Sequence, residues 1–227
     1  MSTLEDSPPL YRLEEVSRMA KDLPVMETIA AWCHEFLSRP HADLGRGGSV
    51  CPFMPRALSL NRITFVVVHT ADRTEEEVDR TIAQYREVFL AMEPTSGPEA
   101  MEKAILVLLP DVREEDAADV IDETHRRLKG DFVDSGLMIG KFHPRSDQGG
   151  LHNPGFRPLR SPVPLLAIRH MVDSDLPFLN RTDDPLADRI KFLESYGQRF
   201  EGVEKSRWSE KGRAALGEVR VAAEADQ

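Results

Sequence analysis

The apolar residues Val25, Met26, Ile29, Cys33, Phe36 and Leu37 recur at intervals of three and four, which predicts a helix with one buried face over 25–37. Ahead of it, Leu10, Leu13, Val16 and Met19 repeat that spacing inside a polar, acidic stretch, so residues 1–22 read as an N-terminal extension that docks weakly or frays. Four short runs have a different texture. RITFVVVH (62–69), KAILVLL (103–109), GLMIGKFH (136–143) and PLLAIRHM (164–171) are apolar, mostly β-branched or leucine-rich, and of the right length for buried strands. Between the first two, Thr74 and Glu77 stand at capping-box spacing, and Val78, Ile82, Tyr85, Val88, Phe89 and Met92 form the inward stripe of a helix that ends before Pro94. A second helix over 114–129 turns Ala117, Val120, Ile121, Thr124 and Leu128 inward and stops at Gly130. Two more helices, at about 185–200 and 211–223, close the chain.

The order α-β-α-β-α-β-loop-β-α predicts an α+β (mixed α/β) fold: a single mixed β-sheet of about four core strands with helices packed on it. With 227 residues and 41% hydrophobic content there is enough apolar material for one substantial core. The expected organisation is an N-terminal extension 1–22, a single domain 23–200 and a C-terminal helical tail 201–227. The stretch between the third and fourth strands is too long for a tight hairpin and has no helical period, which marks it as the candidate site.

Charge narrows the function classes. The chain carries 39 acidic against 29 basic residues, a formal charge of −10, which argues against a nucleic-acid partner because such binding depends on a basic surface. No apolar run is long enough to span a bilayer and the N-terminus lacks a signal-peptide pattern, so no membrane association and a cytoplasmic location are expected. Cys33 and Cys51 are then thiols. Cys33 falls on a buried helix face; Cys51, in Cys51-Pro52-Phe53, either packs, as free cysteines commonly do, or supplies a thiolate ligand or nucleophile. A zinc site of Cys33, His34, His41 and Cys51 has no compact structural-zinc spacing. Gly45-Arg46-Gly47-Gly48 precedes a strand, unlike a dinucleotide fingerprint, and Asp173, Asp175, Asp183 and Asp184 do not form an EF-hand loop.

Against this acidic background, residues 136–170 gather His143, His152 and His170 with Lys141, Arg145, Arg157, Arg160 and Arg169, opposed only by Asp147. An anionic ligand is the expected reason. His143 closes the third strand before Pro144, where an imidazole can ligate iron or act as an acid or base, or can simply terminate a strand. Arg160 precedes the fourth strand, with Arg157 and Arg169 nearby. Guanidinium groups there can hold propionates or a substrate carboxylate, or can pair with surface acids.

The segments CPFMPRAL, KAILVLLP, LMIGKFHP and NPGFRPLRSPVPLLAIRHMVDSDLPFL resemble an uncharacterised, mostly actinobacterial family found among natural-product biosynthesis genes, over about residues 36–180. More distantly, the layout is similar to the YqcI/YcgG-type haem-dependent N-oxygenases. Their cysteine-phenylalanine motif and arginine-serine pair correspond to Cys51-Pro52-Phe53 and Arg160-Ser161; here a proline follows both Cys51 and Ser161. The resemblance implies a haem-dependent monooxygenase of specialised metabolism that oxidises the nitrogen of a small amino-acid-derived substrate, with an external electron donor. In that reading haem b is held by His143, with Cys51 or His170 as alternative metal ligands. His143 and His170 serve catalysis, and Arg160, Arg157, Lys141, Cys51, Phe53, Arg169 and His152 surround the cofactor. The alternative is a non-enzymatic haem- or anion-binding protein, or an accessory protein of a biosynthetic pathway. A cofactor-free acid/base site built on His143 and His152 is a third reading, and a homodimer fits any of these.

Overall fold

A computed structural model describes residues 13–201, 203 and 207–225. The four runs form strands β1 (Ile63–Val67), β2 (Ala104–Leu108), β3 (Leu137–Phe142) and β4 (Leu165–His170) of one mixed sheet. Its order is β1-β2-β4-β3. The strand β1 lies parallel to β2; β4 is antiparallel to both β2 and β3, with Leu137 opposite His170 and Phe142 opposite Leu165. The fold is thus the α+β arrangement that the element order predicts.

Strand alternation sorts the core into two layers. On one face, Ile105, Val107, Leu137, Ile139, Leu166 and Ile168 pack against α3 (Glu75–Ala91) and α4 (Ala117–Asp134). On the other, Leu106, Leu108 and Leu165 pack against Ile29 of α1 (Leu13–Trp32), Cys33 and Leu37 of the π-helical turn that follows it, Met54 of α2 (Met54–Ser59), and the loop residues Leu44, Val50 and Phe156. A third cluster joins Val133, Met138 and Met171 to α5 (Leu176–Leu179), α6 (Leu186–Arg199) and α7 (Arg207–Ala225), so that the expected tail packs on the domain through Ala215 and Val219.

The Thr74–Glu77 capping box forms in both directions, at 3.0 and 3.3 Å. Two expected boundaries move. The helix placed at 114–129 runs on to Asp134, because Phe132 and Val133 are fully buried and their burial outweighs the roughly 1 kcal/mol that a mid-helix glycine costs. The chain turns instead at Gly136, whose φ of 70° suits glycine. At the other end α1 passes through Pro24 unbroken, so the expected division at residue 22 falls inside a helix; Leu10 lies outside the described residues. Among the described residues no helix is long and apolar enough to cross a membrane.

Candidate ligand cleft

Two irregular segments, 38–53 and 143–164, meet at the end of the sheet where β3 stops and β4 begins. Asn153 links them: its side-chain amide donates to the Asp43 carbonyl at 2.8 Å, while its Oδ1 accepts from Gly155 N at 2.9 Å. Gly45 lies against the backbone of His152 in the left-handed region (φ 75°), and a Cβ there would come within 2.8 Å of the His152 carbonyl oxygen. The ring of His41 stacks on Phe156 at 4.6 Å. Phe36 continues this aromatic layer, stacked beside Trp32, and Trp32 meets Phe142 edge-on at 5.8 Å.

The meeting leaves an open cleft of about 680 Å³ bordered by Trp32, Phe36, Phe156, Asn153, Arg157 and Arg160, with Asp43 at its rim. That volume is ordinary for a small-molecule site. The two arginines differ. Arg160 donates to the Ser146 carbonyl and to Asp147, both at 3.0 Å, so a carboxylate already answers its charge. Arg157 donates only to backbone carbonyls, among them Phe156 O at 3.3 Å, and has no carboxylate partner among the described residues.

The other expected site residues are divided by the sheet. Lys141 and His143 share the parity of Leu137 and Ile139 and face α4. Lys141 Nζ lies 2.9 Å from Asp122 Oδ2, and His143 Nε2 lies 3.2 Å from Asp122 Oδ1. Asp122 Oδ1 and His143 Nδ1 are buried without hydrogen-bond partners. Burial opposes charge on Asp122, yet His143 and Lys141 hold its carboxyl below the usual carboxylate range. His125 lies on the same side; burial, with Lys129 and Lys141 nearby, pushes its pKa down to about 3. His170 has the parity of Leu166 and Ile168 and also faces this layer, at the opposite end of the sheet from the cleft.

Arg169 points to the α1 side, where Asp175 grips its guanidinium at 2.7 and 2.6 Å and Phe53 offers its ring at 5.0 Å. Cys51 is half-buried in the same apolar layer, and Cys33 is fully buried with its thiol pushed up to about 12 by burial and by Cys51. His152 is exposed on the loop.

This geometry bears on the haem expectation. A porphyrin ligated by His143 with its propionates on Arg157 and Arg160 would have to straddle the sheet. His143 is also only 2% exposed, with its imidazole against Asp122. No histidine or cysteine borders the cleft, so these residues, as arranged, do not fit haem in that position. Among the described residues no group of three or more His, Cys, Asp or Glu side chains is placed to hold a metal ion. The cleft residues Trp32, Phe156, Asn153 and Asp43 were not singled out by their motifs. Phe36 read as a core position, and only the three-dimensional meeting of two loops exposes its ring. The division of His143 from Arg169, by contrast, follows strand parity.

A family model described as a domain of unknown function, DUF6875, matches residues 26–210. No curated protein and no solved structure matches the chain.

Proposed function

We propose that this chain, which belongs to the DUF6875 domain family, binds a small planar molecule bearing a carboxylate in the cleft between residues 38–53 and 143–164. The observation that carries the reading is the placing of Arg157, without a carboxylate partner among the described residues, beside the faces of Trp32, Phe36 and Phe156. Aromatic walls bury a flat ligand body, and a guanidinium recognises a carboxylate through paired hydrogen bonds. Asp43 on the rim suits a ligand amine, which favours an amino-acid-derived compound. Among the described residues the cleft is bordered by aromatic, amide, arginine and aspartate side chains, which support binding and positioning more directly than chemistry on the ligand.

The test uses Trp32 as reporter in a Trp208→Phe background, titrated with L-phenylalanine and with phenylacetate, which lacks the amine. Saturable change in emission with both is expected, weakened roughly tenfold or more by Arg157→Gln. Asp43→Asn should weaken L-phenylalanine alone. No saturable response to either probe, or equal affinity in Arg157→Gln, overturns the reading. A parallel expression with haem precursor addresses the oxygenase: a stoichiometric Soret band lost in His143→Ala would replace cleft binding with the haem reading.

A further inference from the structure

At the end of the sheet away from the cleft, two basic side chains from different elements meet one aromatic ring, and a third approaches the strand beside them. Lys103, immediately before β2, is 1% exposed and lies over the face of Phe89, with Nζ 4.7 Å from the ring centroid. His170, the last residue of β4, meets the same ring edge-on at 5.0 Å. Arg199, at the end of α6, crosses Gly136 so closely that a Cβ there would lie 3.3 Å from its Cδ. Gly136 directly precedes Leu137, the register partner of His170. Three elements therefore bring basic groups to one end of the sheet, two of them charged at neutral pH.

Little in the protein answers that charge. Lys103 donates to the Met92 carbonyl at 2.6 Å, and the carboxylate that acts on it is Glu93, which accepts the Thr95 amide at 3.1 Å. Arg199 reaches the Met101 sulfur at 4.0 Å and has no carboxylate partner among the described residues. His170 Nε2 is buried and has no hydrogen-bond partner. A buried polar nitrogen left unmatched costs free energy, and mutually repelling cations cost more. The molecule registers both effects: burial, then Lys103 and Arg199, push the pKa of His170 down to about 4, and burial pushes Lys103 down against the pull of Glu93.

We propose that Lys103, His170 and Arg199 form a second, anion-binding site, separate from the cleft, that takes a small oxyanion (a carboxylate or phosphate-like group) against His170 Nε2. The anion accepts a hydrogen bond from the imidazole, offsets the charges of Lys103 and Arg199 that keep the ring neutral, and is reached from the exposed Arg199 side. Binding then draws a proton onto His170, so affinity rises as pH falls from 7 towards 5.

Sulfate, which does not titrate in this range, is the probe, with acetate as the carboxylate arm and chloride holding ionic strength constant. The readout is the imidazole resonance of His170 in proton–nitrogen spectra, assigned with His170→Gln. We expect saturable movement with sulfate, stronger at pH 6 than at pH 8. Arg199→Gln, at an exposed position that leaves the core intact, weakens it roughly tenfold. Arg157→Gln leaves it unchanged, which separates this site from the cleft. Saturation by sulfate alone assigns a phosphate-like dianion; saturation by acetate as well assigns a carboxylate. Absence of saturable movement with either ion, or the same sulfate affinity in Arg199→Gln, overturns the proposal.

Discussion

Arg169 shows how a residue's chemistry depends on a partner that spacing does not reveal. From sequence it counts as one of five cations in a window expected to bind an anion; in the fold it is matched by Asp175, which is 2% exposed and also accepts the Val172 amide at 2.9 Å. The short 3₁₀ turn Asp173–Asp175 carries the carboxylate back over the end of β4, a geometry that periodicity does not encode. Removing one member of a buried pair leaves an uncompensated charge, whereas replacing both can be nearly neutral. Asp175→Ala should therefore lower unfolding free energy by about 3 kcal/mol or more. The double variant Asp175→Leu with Arg169→Met should recover much of that loss. Urea denaturation of the three proteins measures it, and equal stability of the single and double variants would show that the pair is not coupled. Arg157 presents the opposite case: its lack of a carboxylate, not its position in a motif, singles it out as a site residue.

At the scale of elements, the four strands and the capped helix α3 were legible because apolar period and cap chemistry are local properties. The order of the strands, the passage of α1 through Pro24 and the meeting of the two loops were not, because long-range pairing decides them. One such pairing holds α1. His69, just beyond β1, lies between two carboxylates: Nε2 is 2.9 Å from Asp22 of α1, and Nδ1 is 3.1 Å from Asp111, which also accepts the Thr70 amide. Around Asp22, residues 17–21 and 23 of α1 are exposed, with Met19 and Leu23 at 46% and 50%. Hydrogen bonds from Asp22 and then Asp111 raise the pKa of His69, against burial and Lys21. A raised folded pKa means that this contribution is fully present below the unfolded value of about 6.5 and is lost as pH rises through the folded one. Amide exchange over residues 13–23, corrected for intrinsic rates, should thus be slower at pH 6 than at high pH, and Asp22→Asn should remove the difference. Identical protection in Asp22→Asn at both pH values would show that α1 is held by something else.

For the whole molecule the same linkage runs the other way. His125 and His170 are on the α3/α4 side of the sheet, and burial pushes their pKa values down to about 3 and about 4. In the unfolded chain both take up protons near pH 6.5, so as pH falls from 7 to 4.5 the unfolded state binds more protons and stability drops. Each such group contributes at most about 1.4 kcal/mol per pH unit. His69 acts against this trend, and so does the fall in self-repulsion as the formal charge of −10 is titrated. Two imidazoles with lowered pKa values against one latch with a raised one should leave the acid loss dominant, before Asp111 and Asp122, whose carboxyl pKa values are lowered, begin to protonate. Thermal midpoints at constant ionic strength should therefore decline between pH 6.5 and 4.5, and the decline should flatten in the His125→Gln, His170→Gln double variant. Because an oxyanion on His170 stabilises the protonated ring, saturating sulfate should flatten the same profile in the wild-type chain and should not flatten it further in the double variant. A wild-type profile with the same slope as the double variant's would mean that neither imidazole governs acid stability, and the charge arrangement at the far end of the sheet would need another explanation.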